Sequence, residues 1–536
     1  MSKVKILSFN SDARDKVRSG VNQLSSAVQA TLGPCGRNVM IEREHGQGPV
    51  ITKDGVSVAK EIFLKDPVEN AGAQAIKEVS MKASKLAGDG TTTATVLASF
   101  MYNEGFKAIN AGVNPIELKR GMDKASAAVI DGLREISRDV TTNDEIRQIA
   151  TISANNDNSV GTIIAEAMES VGKNGVIQVD ESKSSETTLE IVEGMQIERG
   201  FVSPYFATNN NTMTTTLENP YILIYDRKIS SIKEILPLLE TCSKQNKPLL
   251  IIADDVDGEA LAAMVLNKAR GILNICAIKS PGFGDRKIHN LEDIAILTGG
   301  TVISQQKAMK LDKLTIEMLG TARTITSSQN ETIIVDGAGS SEAIKTRIEE
   351  IKNQYEKADS DYEKQFLKER MSKLIGGVAV LNIGAATELE LKEKKDRVDD
   401  ALHATRAAVE EGIVPGGGTA LLKVVDTIGD IEHDNEDQLL GINIVKKACF
   451  APFKAIVENA GKSAEAIHAK IGEGGYDARN DKFVDMIEAG IIDPTKVTRT
   501  ALELATSVAG TLLTTECVIS LDPEANKKEE APQYGY

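Results

Sequence analysis

The sequence predicts a multidomain chain that is mainly helical, with an α/β segment inserted between two helical parts. At 536 residues the chain is too long for a single hydrophobic core. Near both ends apolar residues recur at three- and four-residue spacing, which is typical of amphipathic helices. Between about residues 190 and 330 the pattern changes to strand, helix, strand, which is typical of parallel strands joined by helical crossovers.

The composition argues against two classes of partner. Apolar residues make up 41% of the chain and charged residues 26%, as in an ordinary globular protein. The 78 acidic residues outnumber the 62 basic ones, and a net charge of −16 has the wrong sign for binding a nucleic-acid backbone. No apolar run approaches the roughly 20 residues of a membrane span, and the N-terminus lacks the apolar core of a signal peptide. We therefore expect a cytoplasmic protein that binds neither nucleic acid nor membrane.

The five cysteines are scattered along the chain, form no CxxC pair and are odd in number. This pattern predicts reduced thiols and neither a disulfide framework nor a zinc site. The five histidines do not cluster either. A transition-metal site is therefore not expected.

Three long helices are expected in the first 135 residues. In "DARDKVRSGVNQLSSAVQATLG" the apolar spacing runs from Val17 to Val28 and stops at Gly33-Pro34. Two more helical patterns cover residues 68–90 and 116–136, and short strand-like pieces such as "NVMIE" and "PVITKDG" lie between the helices.

The middle of the chain combines strands with exposed helices. "KPLLIIADDVDGEALAAMVLNKARGILNICAIKSPGFGD" (247–285) contains an apolar strand, a helix and a second apolar strand, so we expect the two strands to be parallel. Residues 340–373 are highly charged and predict a long exposed helical hairpin. The polar end, residues 523–536, is expected to be disordered.

"GDGTTTATVL" (88–97) offers more polar groups than a helix start needs. The first turn of a helix exposes unpaired N–H groups that bind phosphate, and the threonine hydroxyls add donors. Asp89 would repel a phosphate unless a divalent cation lay between them, so the stretch predicts Mg²⁺ together with a nucleotide. The alternative is a plain helix cap formed by an Asp or Thr side chain.

Four other stretches can likewise be interpreted as part of a ligand site or as an ordinary turn or helix cap. "ATLGPCGRNV" (30–39) fits a helix C-cap followed by proline, and "VITKDGVSV" (50–58) fits a hairpin turn at Lys53 and Asp54. "VPGGGTALL" (414–422) puts three glycines before a helix, and Asp399 and Asp400 fit helix caps. No GxxxxGK[ST] motif occurs, which excludes a Walker-type phosphate loop.

Together and in this order, these stretches are specific. The motifs "TLGPxGRN", "TKDG", "GDGTTTAT", "LHATRAAVEEG" and "PGGG" closely resemble those of the bacterial-type (group I) chaperonins, the GroEL family. The resemblance runs from about residue 3 to 522 and includes "RGFVSPYF", "PGFGDR" and "DPTKVTR". It implies an ATP-driven protein-folding chaperone that assembles into a heptameric ring, one or two rings per particle.

The resemblance also implies three domains. An equatorial domain that binds ATP and forms the ring would comprise residues 1–135 and 411–522. A small α/β intermediate domain would comprise 136–192 and 379–410, and an inserted α/β apical domain that binds polypeptide would comprise 193–378.

The implied cofactors are ATP, Mg²⁺ and K⁺. Asp89 would hold Mg²⁺, Lys53 would lie near K⁺, and Asp54 and Asp400 would orient and activate the attacking water. The phosphates would lie against one set of residues: Thr31, Leu32, Gly33, Pro34, Gly90, Thr91, Thr92 and Thr93. The ribose and base would lie against a second set: Gly417, Asp477, Ala478, Arg479 and Asp493.

Three residues of this implied site depart from the family pattern. Cys35 stands where lysine is usual, Asp477 where asparagine is usual, and Arg479 where a small residue is usual.

The inserted domain would bind non-native polypeptides. The resemblance implies an exposed apolar groove formed by eight residues: Phe201, Tyr205, Phe206, Leu236, Leu239, Leu261, Val265 and Leu266. The same surface would bind a GroES-like co-chaperonin. From the helical spacing alone, the leucine and valine stripes among these residues favour a packed core of that domain.

The sequence alone is also compatible with two other functions. An ATP-using enzyme such as a small-molecule kinase or ligase would be a monomer or dimer with a polar pocket in its middle domain. A holdase would bind unfolded chains without turning over ATP.

Overall fold

The computed structural model describes residues 4–42, 49–154, 157–172, 175–182, 184–209, 212–304, 309–358, 360–472 and 474–522. The tail predicted to be disordered, 523–536, lies outside the described residues. The chain forms two compact units, one from Met1–Ala165 with Asp396–Tyr536 (unit 1) and one from Glu166–Lys395 (unit 2). The fold is multidomain, mainly α with α/β, as the sequence predicts. The finer division into three domains stays a prediction.

Unit 1 is mainly helical. Its first part contains β1 (Lys5–Phe9), α1 (Asn10–Gln29), β2 (Val39–Ile41), β3 (Val50–Thr52), α2 (Gly55–Glu61), α3 (Pro67–Ala87), α4 (Thr91–Asn110), α5 (Pro115–Glu135), α6 (Asn143–Ser153) and the start of α7 (Asn158–Val171). Its second part contains the end of α13 (Glu388–Glu411), then β15 (Ile413–Pro415), α14 (Thr419–Thr427), α15 (Glu436–Ala448), α16 (Ala451–Asn459), α17 (Ala464–His468), β16 (Gly475–Asp477), β17 (Lys482–Val484), β18 (Ile492–Pro494), α18 (Thr495–Leu513) and β19 (Cys517–Leu521).

The core of unit 1 joins helices from both ends of the chain. Val21 of α1, Leu97 of α4 and Leu502 of α18 are fully buried in one apolar cluster. Helices α1 and α3 can approach closely because a Cβ placed on Gly20 would lie 1.8 Å from the carbonyl oxygen of Glu69. The three helices expected in the first 135 residues are confirmed as α1, α3 and α5.

Four two-stranded antiparallel sheets complete unit 1. β1 pairs with β19, β2 with β3, β15 with β18 and β16 with β17. The pairing of β15 with β18 is the one that matters for the site, because glycines follow the first strand and Asp493 lies in the second.

Unit 2 contains most of the strands. Its elements are the end of α7, then β4 (Val176–Glu181), β5 (Thr188–Val192), β6 (Gly194–Ile197), β7 (Thr215–Glu218), β8 (Tyr221–Tyr225), α8 (Leu236–Gln245), β9 (Leu249–Ala253), α9 (Gly258–Ala269), β10 (Ile275–Lys279), α10 (Asp285–Thr298), β11 (Val302–Ile303), β12 (Gly320–Ser327), β13 (Thr332–Gly337), α11 (Ser341–Lys357), α12 (Asp361–Ile375), β14 (Val378–Ile383) and the start of α13.

Two sheets organise unit 2. The larger has the order β10-β9-β8-β12-β13-β6, with β11 added beside β8 and β7 beside β12, and the smaller has the order β4-β14-β5. β8, β9 and β10 are parallel. The strand–helix–strand segment at 247–285 is therefore confirmed, with its parallel pairing.

The charged segment 340–373 forms the helix pair α11 and α12, but it is not exposed all round. Ile351 and Leu367 are buried in the core of unit 2. The carboxylate of Asp293 on α10 accepts hydrogen bonds from Arg347 at 2.8 Å and from Arg370 at 2.7 and 2.8 Å. This buried ion triad fixes the hairpin against α10 and explains why charged residues occur on a face that is covered.

Of the helices that the structure describes, none has the length and apolar character needed to cross a membrane.

Candidate functional site

The loop between α3 and α4 does not use its polar side chains as caps. Gly88, with φ 75°, is the C-cap of α3, and Gly90, with φ 78°, is the N-cap of α4, which has no side-chain cap. Asp89 accepts a hydrogen bond only from the neighbouring N–H of Gly90, at 2.6 Å. The plain-cap interpretation is therefore wrong, because glycines in the left-handed conformation end one helix and begin the next. This leaves the Asp89 carboxylate and the N-terminus of α4 free for a ligand.

The segment "TKDG" starts a helix and does not form the hairpin turn that the pattern allowed. Asp54 is the N-cap of α2, and its two carboxylate oxygens accept the N–H groups of Val56 and Ser57 at 3.1 and 2.9 Å. A Cβ placed on Gly55 would lie 2.1 Å from the Thr92 hydroxyl oxygen. The start of α2 therefore packs directly against the first turn of α4.

Two other glycine-rich turns meet the same region. Lys53 Nζ donates to the carbonyl oxygen of Pro34 at 3.4 Å, which joins the turn after α1 to the turn before α2. Gly417 and Gly418 have φ values of 64° and 77° before α14, and the N–H of Gly417 hydrogen-bonds the Asp493 carboxylate. Four segments that are distant in sequence thus converge in unit 1.

They enclose a cavity of about 530 Å³. Among the predicted nucleotide residues, those lining it are Leu32, Gly33, Pro34, Lys53, Asp89, Gly90, Thr93, Gly417, Asp477, Ala478, Arg479 and Asp493. The volume is in the range of small-molecule and cofactor sites.

The predicted residues Thr31, Thr91 and Thr92 lie behind this lining. The Thr31 hydroxyl is buried and donates to the carbonyl oxygen of Val28 at 2.8 Å. Thr91 is also buried, while Thr92 packs on Gly55. The backbone groups of these three residues remain the parts that could face a phosphate.

The sequence reasoning missed the apolar wall of the cavity. This wall includes Ile152 of α6, Pro452 and Ile456 of α16, Tyr476, Ile491 and Ile492. Because Pro452 and Ile456 are four residues apart on α16, they share one face of that helix. No local sequence pattern marks these residues, because they come from segments outside the recognised motifs and meet only in the fold. An apolar wall in a cavity that also has polar groups suits a nucleobase.

Asp400 lies inside α13, and Asp399 and Asp400 are not caps. The Asp400 side chain is open to solvent but closely surrounded by protein. This partial desolvation and the charges of Asp89 and Asp54 raise the pKa of Asp400 to about 7. Solvent screens the charges of Asp89 and Asp54 and so reduces their effect on this pKa. A carboxyl group with such a pKa is suited to accepting a proton near neutral pH.

Two acids that line the cavity, Asp89 and Asp493, also have raised pKa values. Desolvation raises the pKa of Asp89, and the charge of Asp54 raises it further. The pKa of Asp493 is raised to about 7 by desolvation and by Asp89. Desolvation is the larger cause of both shifts and the charge of a neighbouring acid adds to it, and a bound cation would offset both effects.

Among the described residues of the lining, the cationic side chains are Lys53 and Arg479. Within the described ranges, no group of three or more His, Cys, Asp or Glu side chains is arranged to hold a metal ion. A metal bound here would therefore need ligands from a second molecule. Mg²⁺ is typically held in that way, by one or two carboxylates together with the phosphates of a nucleotide.

The eight residues predicted to bind polypeptide divide into two groups in unit 2. Tyr205, Leu236 and Leu266 are exposed, and Leu261 and Val265 are half-buried beside the core. The predicted exposure is wrong for the other three residues, because they are buried in the core of unit 2: Phe201, Phe206 and Leu239. Phe206 is fully buried.

The fold and site define a multidomain protein with a cofactor-sized, acid-lined cavity in a helical unit and an exposed apolar patch in an α/β unit. A model of the TCP-1/cpn60 chaperonin family matches residues 24–523. The chain belongs to this family. It is a chaperonin, in a family of protein-folding chaperones that bind and hydrolyse ATP and assemble into oligomers.

Proposed function

We propose that this chain is a cytoplasmic, ATP-dependent chaperonin of the bacterial (group I) type, which encloses non-native polypeptides in a ring and releases them after ATP hydrolysis. The observation that carries the proposal is the cavity of unit 1, where four motif segments and the side chains of Asp89, Asp477 and Asp493 line a space suited to a nucleotide. The motif set quoted from the sequence favours the bacterial type within the chaperonin family.

The donor set of the cavity fits ATP with Mg²⁺. Asp89 would hold Mg²⁺ together with phosphate oxygens, and the N-terminus of α4 would face the phosphates. Bound Mg²⁺ would neutralise the phosphates and the crowded carboxylates. Lys53 would lie at the phosphate end near K⁺, and the apolar wall around Ile456 would cover the base.

Asp54 and Asp400 differ in what they can do to a water molecule. Both oxygens of Asp54 accept backbone N–H groups, so this carboxylate is held in a fixed orientation and suits positioning. Asp400 has a raised pKa and stands on a different helix, so it suits accepting the proton of the attacking water. We therefore assign Asp400 as the general base and Asp54 as the residue that orients the water.

Exposed apolar residues on unit 1 support self-assembly. Leu7 is 54% exposed on β1 and Ile519 is 60% exposed on β19, while Met40 and Ile51 are 67% and 59% exposed on the β2–β3 pair. Within the described residues each of these sheets has two strands, so each has edges that another chain could extend. We propose that copies of the chain assemble through these sheets into a heptameric ring, one or two per particle.

We define the client patch as the exposed or half-buried apolar residues Tyr205, Leu236, Leu261, Val265 and Leu266. Apolar patches of this kind bind many partners because burial of apolar area requires no specific geometry. The same patch would bind a GroES-like co-chaperonin.

Replacing both Leu236 and Leu266 with serine is expected to weaken binding of an unfolded client by about tenfold or more, because two exposed leucines lose their apolar contact area. The measurement is suppression of aggregation of a chemically denatured client, together with fluorescence anisotropy of a labelled one. Ile375→Ser, at an exposed apolar position on α12, is the matched control and should bind as the wild type does. Full client binding by the double variant would exclude the patch as the binding surface.

A further inference from the structure

Helix α13 is anchored far from the acid that it carries. At its C-terminal end, the N–H of Ile413 donates to the carbonyl oxygen of Arg138 at 2.9 Å, and Arg499 Nε donates to Glu411 at 2.8 Å. Asp400 lies about 16 Å along the helix from Glu411. Over such a distance a small change in helix direction would move the carboxylate by a large fraction of a hydrogen-bond length.

Two contacts lie between this anchor and Asp400. Ala407 packs with Ala87 and Val497 in a small buried cluster. One turn closer to Asp400, His403 packs against the backbone of Gly88: a Cβ placed on Gly88 would lie 2.4 Å from His403 Cβ, 2.7 Å from Cγ and 3.1 Å from Nδ1. Gly88 is the residue immediately before Asp89.

The contact therefore connects the two catalytic elements directly. Asp400 and His403 are three residues apart, so they lie on one face of α13. The Gly88 side of the contact belongs to the loop that presents Asp89. Any side chain at position 88 would push α13 away, and φ 75° at this position also favours glycine.

We infer that His403 is a positioning residue for ATP hydrolysis, which sets the approach of Asp400 to the Asp89 loop by packing on Gly88. This inference rests on the proposed function. The contacting atoms are Cβ, Cγ and Nδ1, so the effect is steric and needs no proton transfer by the imidazole. Asparagine has corresponding atoms at all three places, whereas alanine keeps only Cβ.

The test is steady-state ATP hydrolysis by the full-length protein. His403→Ala should lower kcat about tenfold with KM changed less than twofold, because the base is displaced while the nucleotide cavity is intact. His403→Asn should retain at least half of the wild-type kcat. Glu410→Ala, on the same exposed face of α13, is the matched control and should change kcat less than twofold.

A double variant separates positioning from a general structural role. If His403 acts only through Asp400, adding His403→Ala to Asp400→Asn should change the residual rate less than twofold. The inference is overturned if the two losses multiply, if His403→Asn is as slow as His403→Ala, or if His403→Ala has the wild-type kcat. Failure of the proposed function looks different: the wild type would not turn over ATP, or Asp400→Asn would hydrolyse it normally.

Discussion

Asp400→Asn is expected to reduce kcat for ATP hydrolysis by about 100-fold or more, and to leave ATP affinity within a few-fold of the wild type. The amide has nearly the shape of the carboxylate but cannot accept the proton of the attacking water. Asp400 is not among the described residues that line the cavity of unit 1, so we expect ATP affinity to change little. The variant should therefore hold ATP without turning it over.

Phosphate release and equilibrium binding of a fluorescent ATP analogue measure the two quantities separately. Asp399→Asn provides the control, because it makes the same chemical change one residue away and points in another direction around the helix. Hydrolysis by Asp400→Asn at the rate of Asp399→Asn would remove Asp400 from the mechanism. An equal loss in both variants would indicate damage to α13 and not to a specific base.

Asp293→Asn is expected to destabilise unit 2 by about 3–5 kcal/mol. Asp293 is 2% exposed and Arg370 is 4% exposed, and the carboxylate is the acceptor for both Arg347 and Arg370. The amide carries no negative charge, so the guanidinium groups of Arg347 and Arg370 would lose the carboxylate charge that balances them at a site largely shielded from solvent. Because this triad fixes α11 and α12 against α10, the loss should appear in those helices first.

Hydrogen exchange of α10 and α12 in increasing urea measures this change within the full-length chain. Glu292→Gln is the control: Glu292 also pairs with Arg347, at 3.1 Å, but its side chain is 33% exposed, so its loss should cost no more than about 1 kcal/mol. Equal protection of α10 in Asp293→Asn and the wild type would show that the triad does not stabilise unit 2.

The parts of the fold that follow from local pattern were predictable. The apolar spacing from Val17 to Val28 gave α1, and the two apolar runs at 247–285 gave parallel strands around α9. The glycine-rich segments could be recognised as a set, and the structure brings most of the residues predicted from them to one cavity.

The remaining features depend on contacts between distant segments. Whether Asp54 closes a hairpin or caps a helix depends on α2 packing against α4, which periodicity does not report. Phe206 and Tyr205 are neighbours in sequence, yet one is fully buried and the other 78% exposed. The apolar wall at Ile456 likewise meets the glycine-rich loops only after unit 1 has folded from both chain ends.

The most direct test of the central claim, an ATP-driven ring, is the native mass of the purified full-length protein with and without MgATP. The chain has a mass of 57.5 kDa, so a single heptameric ring has a mass of roughly 400 kDa and two rings have twice that. We predict one of these closed particles, still assembled while MgATP is turned over. A monomer or dimer under both conditions would contradict the account and favour an ordinary ATP-using enzyme.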